Sequence, residues 1–226
     1  MENLDEMAVL IVVAGGAGKR FGGDKLMAEL GGRPVFVHAL ERLAGAAKRT
    51  VLVVPAGREE EFRAAVAEHL PGLELKIVAG GATRFASVGR GVEAAELVQG
   101  ELAAVHDAAR PLATAELLNA LCRKAREVGG AVPGFPQADA QKRVDGDGVI
   151  VADLPRENVW NVGTPQVFRA ELLLRACASP ENADCLDDAE AVRRAGGRVA
   201  VVPSEGPNVK ITVPADLAAV EELLAH

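Results

Sequence analysis

Valine-rich apolar runs recur along the chain at Ala8 to Ala14, Thr50 to Pro55, Leu73 to Val78, Leu102 to His106 and Gly130 to Phe135. Continuous runs of this kind predict strands buried on both faces. Between them the apolar positions take a helical spacing, which predicts helices over Pro34 to Gly45, Arg58 to Leu70, Arg84 to Val98 and Thr114 to Val128. Pro34 suits a first helical position, and Thr114 ahead of Leu117 and Leu118 reads as a capped start. Strand and helix alternate, which implies right-handed crossovers and a mostly parallel, Rossmann-like α/β sheet with helices on both faces. In such sheets ligands lie beyond the carboxyl ends of the strands, so the residues just after each run are the candidates for chemistry.

The alternation stops after Phe135. The stretch PQADAQKRVDGDGVIVADLPRENVW sets a DGDG turn between short polar and apolar alternations, the pattern of a β-hairpin. An isolated hairpin is marginal in water, so this arm, about residues 136–158, is expected to pack on a second subunit. The tail resumes the earlier pattern. It predicts helices at Arg169 to Ala178, Asp187 to Ala195 and Pro214 to Ala225, and a strand at Arg198 to Pro203.

Composition bounds the setting. A chain of 226 residues is expected to bury its core as one domain, 1–226, carrying the arm as an excursion. The N-terminus carries acids where a signal peptide needs basic residues, and no apolar run approaches membrane-spanning length. Three cysteines, Cys122, Cys177 and Cys185, leave an odd thiol and no CxxC pair, which fits the reducing cytoplasm. A net charge of -7 argues against general nucleic-acid binding, so any phosphate is bound locally.

The densest chemical signal is AGGAGKRFGGDK, Ala14 to Lys25, directly after the first strand. Small residues let successive N–H groups cradle phosphate oxygens, and Lys19, Arg20 and Lys25 add three cations. Two familiar phosphate loops fail here. The dinucleotide fingerprint meets Phe21 where it needs glycine, and a Walker A loop meets Val13 and Arg20 where it needs glycine and Ser or Thr. What remains is a cradle with cations for a phosphate that develops charge, the machinery of phosphoryl and nucleotidyl transfer. A plain strand-to-helix connection with solvated basic residues is the alternative.

With Lys25, the run Ala14-Gly15-Gly16-Ala17-Gly18-Lys19-Arg20 resembles the signature of the sugar-nucleotide pyrophosphorylase-like nucleotidyltransferases. Further blocks follow in order: GGATRFASV (Gly80 to Val88), HDAARP (His106 to Pro111), TPQVF (Thr164 to Phe168) and NVKIT (Asn208 to Thr212). Together they resemble the 2-C-methyl-D-erythritol 4-phosphate cytidylyltransferase family of non-mevalonate isoprenoid biosynthesis, over roughly Val9 to Leu224.

The resemblance implies transfer of CMP from CTP to the 4-phosphate, with release of pyrophosphate. It implies CTP contacts from Ala14, Gly15, Gly16 and Gly18, cytosine recognition by Gly81 and Ser87, and α-phosphate stabilisation by Arg20 and Lys25. Asp107 and Ala108 are implied at the ribose and the metal region. Magnesium is implied as the divalent cation, held mostly by CTP phosphates with Asp107 as its protein contact. Asp107, Arg156, Thr164 and Lys210 are implied on the acceptor, with the arm reaching across a homodimer. The chain departs from the family at Asp139-Ala140, where threonine usually follows the aspartate, and at Val13, where proline is common.

Several residues have plainer readings. His106, after an apolar run, reads as a packed, hydrogen-bonded histidine, since an attacking phosphate is already ionised and needs no base. Asp187-Asp188 reads as the acidic first turn of a helix. Arg156 in a hairpin and Lys210 in a short alternation would ordinarily be solvated charges. Two rival functions remain: a cytidylyltransferase for another polyol phosphate such as ribitol 5-phosphate, and a catalytically silent nucleotide-binding module.

Overall fold

The computed structural model describes residues 7–15 and 20–224. Strands β1 (Ala8–Val13), β4 (Ala47–Val54), β5 (Lys76–Ala79) and β6 (Leu102–Asp107) run parallel in the order β6, β1, β4, β5. Beyond β6 lie β11 (Gln166–Arg169) and then β7 (Gly130–Pro136), with β12 (Val199–Pro203) parallel to β7. Among the described residues of this sheet, β11 and the short β10 (Trp160–Val162) run against their neighbours, so the sheet is mixed and mostly parallel.

All six residues of β1 are buried, and their side chains alternate between two cores. Leu10 and Val12 pack under α1 (Val35–Ala44), α2 (Glu59–His69) and α4 (Ala115–Val128). Val9, Ile11 and Val13 pack under α3 (Arg84–Ala95), α5 (Ala170–Cys177) and α6 (Asp188–Arg194). A strand flanked on both faces has no use for polar alternation, which is why its sequence is a continuous apolar run. Each fully buried Val, Leu or Ile contributes roughly 1.5–3 kcal/mol through burial.

Several predicted boundaries shift. Thr114 does cap α4, accepting from Leu117 N at 3.3 Å. Pro34 is not a first helical residue. It is extended at φ -58°, ψ 141°, and pairs with Glu29 in a small hairpin of β2 (Glu29–Leu30) and β3 (Arg33–Pro34) that the sequence did not announce. The strand expected over Leu73 to Val78 begins at Lys76, because Leu73 N closes a turn on Leu70 O at 3.0 Å. Helix α3 stops at Ala95, three residues before Val98, where Glu96 turns left-handed at φ 50°.

The hairpin forms as expected: β8 (Gln141–Val144) pairs antiparallel with β9 (Ile150–Leu154) in a sheet of its own. The Asp145 side chain shapes its turn by accepting from Asp147 N and Val149 N, both at 3.0 Å. Val144, Val149, Ile150 and Val151 are all more than half exposed. The last helix, α7 (Pro214–Leu224), closes the chain.

Candidate active site

The loops that leave β1, β4, β5 and β6 at their carboxyl ends gather most of the predicted nucleotide contacts. Ala14 and Gly15 follow β1, Gly80 and Gly81 follow β5, and Ala108 follows Asp107 at the end of β6. The loops stay tied to the sheet: Ala14 N donates to Val53 O at 2.7 Å, Gly80 N to Val54 O at 2.7 Å, and Ala108 N to Val13 O at 3.0 Å. Gly16 and Gly18, the other two expected nucleotide contacts, lie outside the described residues.

Gly15, Pro55, Gly80, Gly81 and Ser87 line one cavity of about 390 Å³. Ser87 is buried, and its Oγ accepts from Gly81 N at 3.1 Å and donates to Thr83 O at 2.9 Å. Thr83 caps α3, accepting from Ala86 N at 3.0 Å, and so fixes the first turn that presents Ser87. The close approach needs glycine. A Cβ at Gly81 would stand 2.5 Å from Ala86 Cβ, and one at Gly80 would stand 2.8 Å from Ser87 Oγ. The result is a recess floored by main chain beside the first-strand loop.

Next to it, Asp107 gathers cations. Its Oδ2 accepts from Lys210 Nζ at 2.6 Å and its Oδ1 from Arg84 Nε at 3.2 Å, while Arg110 Nε stands 3.9 Å from Oδ2. Burial alone would raise this carboxyl, yet the charges of Arg84, Lys210 and Arg110 hold it well below the usual carboxylate range. Lys25 joins from the first-strand loop. Asp24 Oδ1 accepts from Leu26 N at 3.1 Å, and Lys25 Nζ donates to Ile211 O at 3.1 Å, on the segment that carries Lys210. Burial and then the nearby charges of Lys210, Arg20 and Arg110 lower the Lys25 amine, with Asp107 partly offsetting them. Arg20, Lys25, Asp107 and Lys210, spread over nearly two hundred positions of sequence, thus share one electrostatic site.

Three members of the cluster carry no clear sequence signal. Arg84 bridges Asp107 and Asp188, donating from Nη2 to Asp188 Oδ2 at 2.8 Å. Asp188 is 1% exposed; burial raises its carboxyl and the Arg84 charge offsets this. Asp187 does what an acidic helix start predicts, accepting from Glu190 N at 2.9 Å, but Asp188 faces the site. Arg110 lies against Gly163, where a Cβ would come within 3.1 Å of Nη1. Its buried Nε meets no hydrogen-bond acceptor among the described residues. Arg84 and Arg110 sit inside the GGATRFASV and HDAARP blocks, which was the only available hint.

The remaining predicted residues divide. His106 is fully buried, as its plainer reading held. Thr164 is 4% exposed and stands behind Asp107, accepting from Asp107 N at 2.9 Å. Arg156 lies just past β9, and its Nη1 donates within the arm to Ala138 O at 3.1 Å.

A glycine-floored recess that shares Arg84 with a carboxylate gathered among cations is suited to a triphosphate whose α-phosphorus must be neutralised as it reacts, and the class this fits is the nucleotidyltransferases. The sequence signature of the family described as "IspD: 2-C-methyl-D-erythritol 4-phosphate cytidylyltransferase" matches residues 8–226. The chain belongs to that family. A relative of that name from Cereibacter sphaeroides is 41% identical over 95% of this chain and 96% of its own. Another, from Rhodopirellula baltica, is 36% identical over 95% and 93%. Among solved structures, the 2-C-methyl-D-erythritol 4-phosphate cytidylyltransferase from Thermus thermophilus superposes with a TM-score of 0.79 at 33% identity, covering 97% of this chain and all of the other.

Proposed function

We propose that the chain transfers CMP from CTP to 2-C-methyl-D-erythritol 4-phosphate, forming 4-diphosphocytidyl-2-C-methyl-D-erythritol and pyrophosphate. The observation that carries this reading is the Asp107 cluster, where Lys25 from the first-strand loop meets Lys210 from the tail beside the Gly81–Ser87 recess. The recess takes the cytosine, the main chain of Ala14, Gly15, Gly16 and Gly18 takes the triphosphate, and Asp107 and Ala108 flank the ribose. Arg20 and Lys25 stabilise the charge that grows at the α-phosphate. An acceptor phosphate, with its second pKa near 6, is already a nucleophile at neutral pH and attacks in line without a general base. Lys210 and, from the arm, Arg156 hold that phosphate, and Arg110 adds a further cation on the same side.

Magnesium fits this donor set. No group of three His, Cys, Asp or Glu side chains could hold a metal among the described residues, but Mg²⁺ characteristically binds through one or two carboxylates plus substrate phosphates. Asp107 is the carboxylate that would hold it. The ion would orient the triphosphate and neutralise the leaving pyrophosphate.

The exposed apolar residues of β8 and β9 support a homodimer in which each arm packs on the other subunit and brings Arg156 to its site. No helix among the described residues is long and apolar enough to cross a membrane, and we place the enzyme in the cytoplasm, where CTP is made. Incubation with CTP, magnesium and 2-C-methyl-D-erythritol 4-phosphate should release pyrophosphate in step with the cytidyl diphosphate product. CTP binding without release, with this acceptor or with ribitol 5-phosphate, would mark a silent nucleotide-binding module instead.

A further inference from the structure

Asp24 and Lys25 are chain neighbours that look opposite ways. Lys25 Nζ donates to Ile211 O at 3.1 Å, on the segment that carries Lys210. Asp24 turns towards the start of α2: its Oδ2 stands 2.5 Å from Arg58 Nη2. Its Oδ1 accepts from Leu26 N at 3.1 Å and Met27 N at 3.4 Å. One carboxylate thus closes the turn around Lys25 with one oxygen and moors that turn to Arg58 with the other.

Arg58 is itself fixed from several sides. Its N donates to Pro55 O at 3.1 Å, in the stretch that lines the recess. Its Nε and Nη2 donate to Glu61 Oε2 and Oε1, both at 2.6 Å. Its Cζ lies 5.3 Å from the ring centroid of Phe62, which is fully buried. Phe62 packs on Phe36 with ring centroids 4.7 Å apart, and Phe36 N donates to Leu26 O at 3.3 Å. The contacts run from Asp24 through Arg58, Phe62 and Phe36 back to Leu26, and so close around the loop that presents Lys25.

Lys25 needs such an anchor because Lys210, Arg20 and Arg110 repel its charge, with Asp107 partly offsetting them. A single hydrogen bond to the neutral Ile211 carbonyl is a modest hold against that repulsion. The Arg58 and Asp24 side chains are 31% and 36% exposed, and an ion pair open to water adds little to stability. What the pair contributes is placement. We propose that Arg58 is a positioning residue that acts through Asp24 to hold Lys25 at the Asp107 cluster. The assignment rests on the proposed nucleotidyl transfer, in which Lys25 meets the α-phosphate.

Amide hydrogen exchange reads the clamp without turnover. Arg58→Met keeps an aliphatic stem over Phe62 but removes the bond to Asp24, so Leu26 N–H should exchange several-fold faster while the amides of β1 are unchanged. Unchanged exchange at Leu26 would overturn the proposal. In kinetics, the same variant should lower kcat about 10-fold or more, within the roughly 10²-fold that a 1 Å misplacement can cost, with the KM for CTP little changed. Asp24→Asn should lose a similar factor, because an amide has one accepting atom and cannot serve both Leu26 N and Arg58. In a Lys25→Ala background, Arg58→Met should lower kcat no further, since the group it positions is gone. An unchanged kcat in either single variant, or a full further loss in the Lys25→Ala background, would refute the positioning role. If Arg58→Met fails to fold, Asp24→Asn, alone and in the Lys25→Ala background, decides by the same kinetic criteria. If the wild type makes no product, the functional reading fails while the exchange still decides whether Arg58 holds the loop.

Discussion

Lys25 reaches the cluster from a loop that Asp24 holds in shape, and its amine is lowered by burial and by neighbouring cations. A cation held against such repulsion is most useful where negative charge grows. Lys25→Ala should therefore lower kcat by about 10² or more while affecting CTP binding less, as for loss of one oxyanion donor, a split that steady-state kinetics will show. Arg84 makes a different prediction. Arg84→Met leaves Asp188 buried and unpaired, which should cost about 3–5 kcal/mol in denaturant unfolding, whereas Arg84→Met with Asp188→Leu should recover much of it. His106 predicts a pH dependence. Its unfolded ring protonates near 6.5 and its folded ring near 4, so the unfolded state holds more protons between those values. Stability should fall as pH drops through that window, by on the order of 3 kcal/mol at 1.36 kcal/mol per pKa unit, and the slope should shrink in His106→Gln. The depressed Asp107 carboxyl adds its own loss only at lower pH, and the raised Asp188 carboxyl acts in the opposite sense. Lys25 and Asp107 could be singled out in the sequence because they sit in motif blocks that follow strands, whereas Lys210 was reached only through the family resemblance of its block. The Arg84–Asp188 pair could not, since it joins residues 104 apart and Asp188 hides behind a helix-capping partner.

At the scale of elements, the long apolar runs predicted β1, β4, β6 and β7 because burial on both faces leaves an unambiguous record. Some of the short strands left none. β10 and β11, three and four residues long, run antiparallel and need no helical crossover to announce them, yet they carry Gly163 and Thr164 to the end of β6. Close packing between elements was equally silent. A Cβ at Gly91 of α3 would stand 2.4 Å from Ile11 Cγ2 and 2.8 Å from Val53 Cγ2. Gly91→Ala gains about 1 kcal/mol of helix propensity at most, while overpacking costs typically 1–3 kcal/mol. The variant should be the less stable protein in thermal unfolding. The exposed face of the arm makes the complementary prediction: Ile150→Asp with Val151→Asp should leave the fold's thermal midpoint near the wild type but shift the protein to monomer in sedimentation, with acceptor turnover lost.

Over the whole molecule, the polypeptide draws its site from segments far apart in sequence, and the carboxylate at the centre of the cluster, Asp107, is shared among Arg84, Lys210 and Arg110. That arrangement suits moving a nucleotidyl group between phosphates, and in the proposed reading the acceptor is set by what the arm and the Lys210 segment recognise together. Ala140, where the resemblance implies a threonine, lies on that arm. The ratio of kcat/KM for 2-C-methyl-D-erythritol 4-phosphate to that for ribitol 5-phosphate, with CTP and magnesium saturating, is therefore the decisive measurement. A ratio far above one, with one pyrophosphate released per cytidyl diphosphate product, is the expected result. A ratio below one would contradict the account and assign the site to the other polyol phosphate.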